Sequence, residues 1–259
     1  LRIKADCVPG CLECGDSSPL SSASDLSPAP ARQVAPEQSA DKSAHSKDKY
    51  IAISVDCNGG YCYLDPYEGG KIAVAECARN LACTGAVPLG ATDNLNFGNP
   101  HNPELFWQLK ECVRGLADAC RAFNAPVTGG NCSLYNQSPN GPIDPTPTVA
   151  LVGLIEKPEH ITAQWFKDEG DAVILLGDIV EETDKLAGLG GSAYLQVIHG
   201  KKTGTPPRLH LDEEANLHRT LRSLIVGGGI KSAHDCSEGG LAVALAESCI
   251  SQLTAHGTP

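Results

Sequence analysis

Two polar segments constrain this chain more than any other feature. They are Ala91-Thr92-Asp93-Asn94-Leu95-Asn96-Phe97-Gly98-Asn99-Pro100 and Gly129-Gly130-Asn131-Cys132-Ser133-Leu134-Tyr135, with Asp93 and Gly130 separated by 37 positions. Each follows a short apolar run that reads as a strand, 86–91 and 126–128, so both are expected as loops at strand ends where polar groups converge. Asn102, Pro103 and Glu104 then signal the start of a helix running to Phe123, through an N-cap, a first-turn proline and an acid at the positive end. Its apolar stripe of Leu105, Phe106, Leu109, Val113, Leu116 and Cys120 reads as a core face. Strands alternating with helices predict α/β layers, and the two polar segments read as half of a metal-nucleotide site.

The regular pattern begins at Tyr50. Residues 51–55 and 148–155 read as strands by their branched content, and 70–83 carries apolar residues at helical spacing. A connector over 156–170 marks the expected domain boundary, with 172–176 opening a fresh sheet. Helices near 212–226 and 240–250 follow it. Residues 5–49 are rich in Ser, Ala, Pro, Asp and Lys and poor in large apolar side chains, which predicts a disordered insertion. The strand-like Leu1-Arg2-Ile3-Lys4 ahead of it suggests a lengthened loop between two paired strands, at small entropic cost.

With 259 residues the chain can hold one large or two smaller cored domains. It contains no methionine and opens on Leu1, so it is expected to be a piece of a longer polypeptide. A net charge of -11 argues against a nucleic-acid partner, while magnesium nucleotides stay possible because a divalent cation can bridge acidic protein and phosphate. No apolar run is long enough to span a membrane. Most of the 12 cysteines lie inside apolar helical or strand patterns, which predicts reduced thiols in the cytoplasm.

Asp93 offers a hard carboxylate for magnesium or a nucleotide, or else caps local amides in an Asx turn. Gly129 and Gly130 allow close backbone approach, Asn131 offers an amide oxygen to a metal, and Ser133 offers a hydroxyl to a substrate. No Gly-x-x-x-x-Gly-Lys-Ser/Thr loop exists, which excludes an ordinary P-loop. Cys7, Cys11 and Cys14 have a spacing compatible with a metal cluster, but incidental cysteines in a disordered loop are the simpler reading. His234-Asp235 before Glu238-Gly239-Gly240 marks either a capped helix start or an anion site.

In this order the residues resemble phosphoribosylformylglycinamidine synthase. The resemblance runs through 56–71, 92–100, 107–109, 130–135, 145–148 and 232–241, covering nearly all of the chain outside 5–49. It implies an ATP-binding-type domain of the aminoimidazole ribonucleotide synthetase superfamily over 1–4 and 50–158. A partial α/β C-terminal-type domain would follow over 159–259, truncated within it. The family has two similar halves whose ATP-binding-type domains pack as a pseudo-dimer, and this chain looks like the second half. Carried over by motif, Asp93 and Gly130 would contact ATP, Asn131 would bind Mg2+, and Ser133 would contact formylglycinamide ribonucleotide.

The same resemblance assigns no catalytic residue to this chain and leaves the catalytic histidine to the missing first half. Residues 56–80 look like a degenerate copy of that half's metal segment, either structural or lining an auxiliary nucleotide site to which Asp235 would belong. The implied activity is ATP-dependent conversion of the amide of formylglycinamide ribonucleotide to an amidine in purine biosynthesis. Ammonia would come from a separate glutaminase subunit or domain. The alternatives are a non-catalytic nucleotide-binding scaffold half and another superfamily member such as aminoimidazole ribonucleotide synthetase.

Overall fold

The computed structural model describes residues 2–3, 49–177 and 189–255. The expected insertion at 5–49, with Cys7, Cys11 and Cys14, lies almost wholly outside the described residues. In chain order the first unit comprises β1 (Arg2–Ile3), β2 (Lys49–Asp56), α1 (Gly59–Leu64), α2 (Pro66–Cys83), β3 (Val87–Asn96), α3 (Pro103–Ala122) and β4 (Val127–Ser133). A two-stranded hairpin, β5 (Gln137–Ser138) and β6 (Gly141–Pro142), then leads to β7 (Thr146–Ile155).

Five strands form one sheet in the order β1-β2-β7-β3-β4. All neighbours are antiparallel except β3 and β4, whose parallel pairing requires the α3 crossover between them. At the other edge, Arg2 pairs with Tyr50 and Ile3 with Lys49, so the strand read at the start of the chain is paired as expected. Pro147, Val149, Leu151, Gly153 and Ile155 on β7 are all buried, alternating with half-buried neighbours, because α2 and α3 cover only that face of the sheet. The core joins Val74, Cys77, Ala78 and Leu81 of α2 and Leu116, Ala119 and Cys120 of α3 to Ala91, Val149, Leu151 and Ile155 of the sheet.

Helix α2 begins four residues earlier than the periodicity predicts. Asp65 caps it, accepting from the N–H groups of Tyr67 and Glu68, both at 3.1 Å, and Pro66 is pre-set for the first turn. Gly69 and Gly70 therefore both lie inside the helix. A β-carbon on Gly70 would stand 2.5 Å from the Cys112 carbonyl oxygen, and one on Gly115 of α3 would stand 2.1 Å from that of Tyr67. The two glycines let α2 and α3 approach closely, a packing gain that overrides their weak helix propensity. Helix α3 agrees with its sequence signals, since Asn102 accepts from the Glu104 N–H at 2.9 Å.

Beyond a 3-10 turn at Pro158–His160, the described part of the second unit contains α4 (Ala193–His199), α5 (Leu211–Val226) and α6 (Gly240–Ala255). The fresh sheet expected at 172–176 does not form among the described residues. These positions have no strand structure, and Val173 and Ile174 are exposed, because no described strand lies beside them to complete a ladder. The second unit docks on α2. There Lys71 Nζ donates to the Leu209 carbonyl at 2.9 Å and Glu68 accepts from the Leu209 N–H at 3.3 Å, while at the end of α3 Phe123 stacks on His218 at 5.1 Å.

Candidate functional site

The two polar segments continue two strands as far as Asn96 and Ser133 and leave the sheet only beyond those residues. β3 runs through Thr92, Asp93, Asn94, Leu95 and Asn96, and β4 runs through Gly129, Gly130, Asn131, Cys132 and Ser133. They pair with each other, Thr92 opposite Gly129, Asp93 opposite Gly130, Asn94 opposite Asn131 and Asn96 opposite Ser133. Asn and Gly are poor strand formers, but β3 is held on both sides, with Asp93 opposite Val149 and Asn94 opposite Thr148 of β7. The 37-residue spacing is therefore the register of a parallel ladder.

Alternation along β3 sends Asp93 and Asn94 to opposite faces. Leu95 shares the face opposite Asn94 with Asp93 and packs against the core. The Asp93 carboxylate stands over Gly130, where a β-carbon would lie 2.3 Å from its Oδ1 and 2.5 Å from the Asp93 carbonyl oxygen. Gly130 is thus the cradle for that carboxylate. Burial raises the Asp93 pKa, and burial together with the Asp93 charge pushes the Cys120 thiol of α3 up to about 11. Among the described residues no donor hydrogen-bonds to the Asp93 carboxylate, which leaves its oxygens available to a ligand.

On the other face Asn131 Nδ2 donates to Asn94 Oδ1 at 3.2 Å, which turns the Asn131 amide oxygen outward. Thr92, Asn94, Gly130, Asn131, Thr148 and Ala150 line a shallow depression of about 340 Å³ that Asp93 also reaches. β4 is the sheet edge and exposed along most of its length, so a ligand can approach its backbone from the side. Asn131 and Asp93 offer hard oxygens of the kind magnesium takes, but from opposite faces of the β3–β4 ladder. Among the described residues no group of three or more His, Cys, Asp or Glu is arranged to hold a metal ion. Ser133 lies outside the depression, at the strand end, with its hydroxyl against Asn136.

The segment read as a degenerate metal copy forms a second polar cluster between the two units. Asp56 accepts from Ser54 Oγ at 2.7 Å and from Asn80 Nδ2 at 3.3 Å. Arg79 donates to Glu214 of α5 at 2.6 Å and lies 3.9 Å from Asp235. Asp235 is buried, one carboxylate oxygen has no hydrogen-bond partner, and the other faces His234 Nδ1 at 3.2 Å. Here the chain supplies its own cation, Arg79, among the acids. The helical spacing of Glu76, Arg79 and Asn80 on one face of α2 carries this cluster. Sequence reading passed over Glu76 and left Arg79 without a partner. A cavity of about 510 Å³ adjoins the cluster, lined in part by Ser54, Asn80, Thr162, Trp165, His234 and Asp235.

Glu76 gives this cluster a measurable signature. Burial pushes its pKa up to about 7, with Asp56 and Asp235 adding to the shift while Arg79 and the Ser237 hydroxyl oppose it. The folded pKa exceeds the ordinary 4.5, so the folded chain holds an extra proton in the window between the two values. The contribution of this group to stability is full below that window and is lost as pH rises through about 7. Glu76→Gln is expected to raise the urea midpoint relative to wild type at about pH 8, with the difference shrinking by about pH 5. An equal difference at both pH values would contradict the shifted titration.

All nine cysteines among the described residues are free thiols, and most are buried. Burial pushes Cys83 up to about 12, which keeps it protonated and unreactive. No helix among the described residues is long and apolar enough to cross a membrane.

The AIR synthase related protein N-terminal domain matches residues 40–155, and the corresponding C-terminal domain matches residues 168–256. The phosphoribosylformylglycinamidine synthase subunit PurL of Anaeromyxobacter sp. (strain K) is 54% identical over 202 residues, covering 78% of this chain and 26% of that protein. That of Thermosynechococcus vestitus is 55% identical over 210 residues, covering 78% of this chain and 28% of that protein. The chain thus spans about a quarter of the length of these relatives. The crystal structure of phosphoribosylformylglycinamidine synthase II from Thermotoga maritima superposes with a TM-score of 0.53 at 22% identity, covering 82% of this chain and 29% of that one. That likeness carries the fold. With the N-terminal and C-terminal domains present in sequence order, the chain belongs to the AIR synthase related proteins.

Proposed function

We propose that this chain is one wall of the shared active site of a phosphoribosylformylglycinamidine synthase. That enzyme uses ATP and glutamine-derived ammonia to convert formylglycinamide ribonucleotide to the amidine. The observation that carries this reading is the β3–β4 ladder, which sets Asp93 over Gly130 and Asn131 beside Asn94 at an open sheet edge. Relatives at 54–55% identity that bear the name of this synthase support it. Domain boundaries are placed at 1–4 with 50–158 and at 159–259.

In this reading Asp93 and the Gly130 backbone contact the nucleotide, Asn131 Oδ1 meets magnesium, and Ser133 Oγ orients the acceptor. Magnesium ATP, when bound, supplies a transferable phosphoryl group that makes the amide oxygen a leaving group. The residues of this chain contribute position and charge complementarity. In this reading the catalytic histidine comes from the first half of the synthetase, as none lines the depression among the described residues.

The uncovered face of the sheet supports the same conclusion. Ile53 and Val55 of β2 and Val87 of β3, paired with the uncovered-face positions of β7, are each at least half exposed. Single exposed apolar residues are ordinary, but a branched row on one sheet face marks an interface. Its occupant in this proposal is the homologous first half of the same synthetase, with a glutaminase subunit or domain delivering ammonia in the cytoplasm.

The test is Asn131→Ala and Asp93→Asn in the full-length synthetase. Each is expected to lower ATP hydrolysis dependent on formylglycinamide ribonucleotide by on the order of 100-fold. Asn131→Ala should also raise the magnesium concentration needed for half-maximal rate. Wild-type turnover in both variants would overturn the site. Nucleotide binding without any substrate-dependent turnover by the wild-type protein would instead identify a scaffold.

A further inference from the structure

Hydrogen bonds converge on one residue just past the end of β4. Asn136 Nδ2 donates to the Ser133 carbonyl at 2.8 Å and to the Phe97 carbonyl at 3.2 Å. The same side chain meets the Ser133 hydroxyl at both ends, with Nδ2 3.3 Å from Oγ and Oγ 3.4 Å from Oδ1. The Asn136 backbone N–H donates to the Phe97 carbonyl at 3.1 Å, and its carbonyl accepts from the Ile143 N–H at 3.3 Å. One amide therefore ties together the ends of β3 and β4, the hairpin and the hydroxyl.

Leu134 packs on the cluster of Cys62, Phe97 and Cys112, but the next residue of the turn has no such support. Tyr135, between the two residues, has φ +64°, a left-handed conformation that costs a non-glycine residue strain, yet its ring is 57% exposed. Its ring partner is His101 at 6.1 Å, a loose tilted contact. The bonds made by Asn136 offset the strain and fix the turn. A serine hydroxyl at a strand end otherwise samples three rotamers, and a two-point amide contact removes that freedom.

We propose that Asn136 is a positioning residue: its amide fixes the Ser133 hydroxyl in the orientation that receives the acceptor substrate, without itself touching that substrate. The inference rests on the reading above that Ser133 contacts the acceptor.

A double-mutant cycle in the full-length synthetase tests it, comparing Ser133→Ala, Asn136→Ala and the double variant. Asn136→Ala is expected to lower kcat/KM for formylglycinamide ribonucleotide roughly 10- to 100-fold with KM for ATP unchanged. In the Ser133→Ala background the same change should cost clearly less, since only its bonds to the Phe97 and Ser133 carbonyls are then lost. Asn136→Asp keeps the size and the acceptor but loses the donor, so it should show the same coupled loss and serves if the alanine variant fails to fold. The same loss in both backgrounds would overturn the proposal, since Asn136 would then act through the fold alone. Wild-type kcat/KM in a folded Asn136 variant, with Ser133→Ala impaired, would also overturn it. Wild-type kcat/KM in Ser133→Ala would instead remove the role of Ser133, and this inference with it.

Discussion

Gly130→Ala is expected to destabilise the fold and abolish nucleotide binding, whereas Gly129→Ala is expected to be tolerated. The two glycines are adjacent on the same strand, and composition cannot tell them apart. A β-carbon at 130 would meet Asp93 Oδ1 at 2.3 Å and the Asp93 carbonyl oxygen at 2.5 Å, while one at 129 meets nothing within 4 Å. The carboxylate could rotate away, but the carbonyl belongs to a strand paired on both sides and cannot. Relief would require β4 to move off β3, at a cost of about 1–3 kcal/mol as for other overpacked sites. The same movement would pull Asn131 away from Asn94, to which it donates across the ladder. Denaturant unfolding and ATP titration of the full-length protein check this. Equal midpoints and equal ATP affinities for the two variants would show that close approach at 130 is not needed.

Arg79→Ala is the second large expected effect, and it acts on the joint between the two units. Arg79 is the cation among Glu76, Glu214 and Asp235, and its side chain is only 19% exposed. Its removal leaves buried acids facing one another, a loss of about 3 kcal/mol, at the low end for a buried pair because some solvent reaches the guanidinium. A second substitution separates loss of attraction from stranded charge. Arg79→Met combined with Glu214→Leu should recover part of the stability lost in Arg79→Met alone, since an apolar pair strands no charge between those two positions. Added salt should change the wild-type stability little, in contrast to an exposed pair. If the double variant is less stable than the single one, Glu214 is not stranded without Arg79 but held by His218, 2.9 Å away, and this account of the joint fails.

Local signals predicted several elements closely. Asn102, Pro103 and Glu104 opened α3 where expected, because a cap is an interaction between residues two or three apart. The strand at 148–155 was legible from its branched content, which suits a central strand half-buried against helices. Local signals failed where a distant partner decides the outcome. Asn94, Asn96, Gly129 and Gly130 read as loop by propensity, yet lie in strands because neighbouring strands take up their backbone groups. The helix expected to open at Gly70 opens at Pro66 instead, with Gly69 and Gly70 inside it, where α1 and α3 leave no room for β-carbons. At 172–176 the opposite occurred, since strand propensity without a described strand beside it leaves apolar residues exposed.

The sequence by itself determined the polar chemistry of this protein: Asp93, Gly130, Asn131 and Ser133, the helix between the two segments, and the resemblance that ties them to a nucleotide-using family. Only the tertiary structure decided that the two segments pair as one ladder, that Asp93 and Asn131 lie on its opposite faces, and that Arg79 joins the two units. Residue type and short-range periodicity are properties of the chain. Register, face and close approach are set by contacts between residues far apart along it, and those exist only once the sheet has formed.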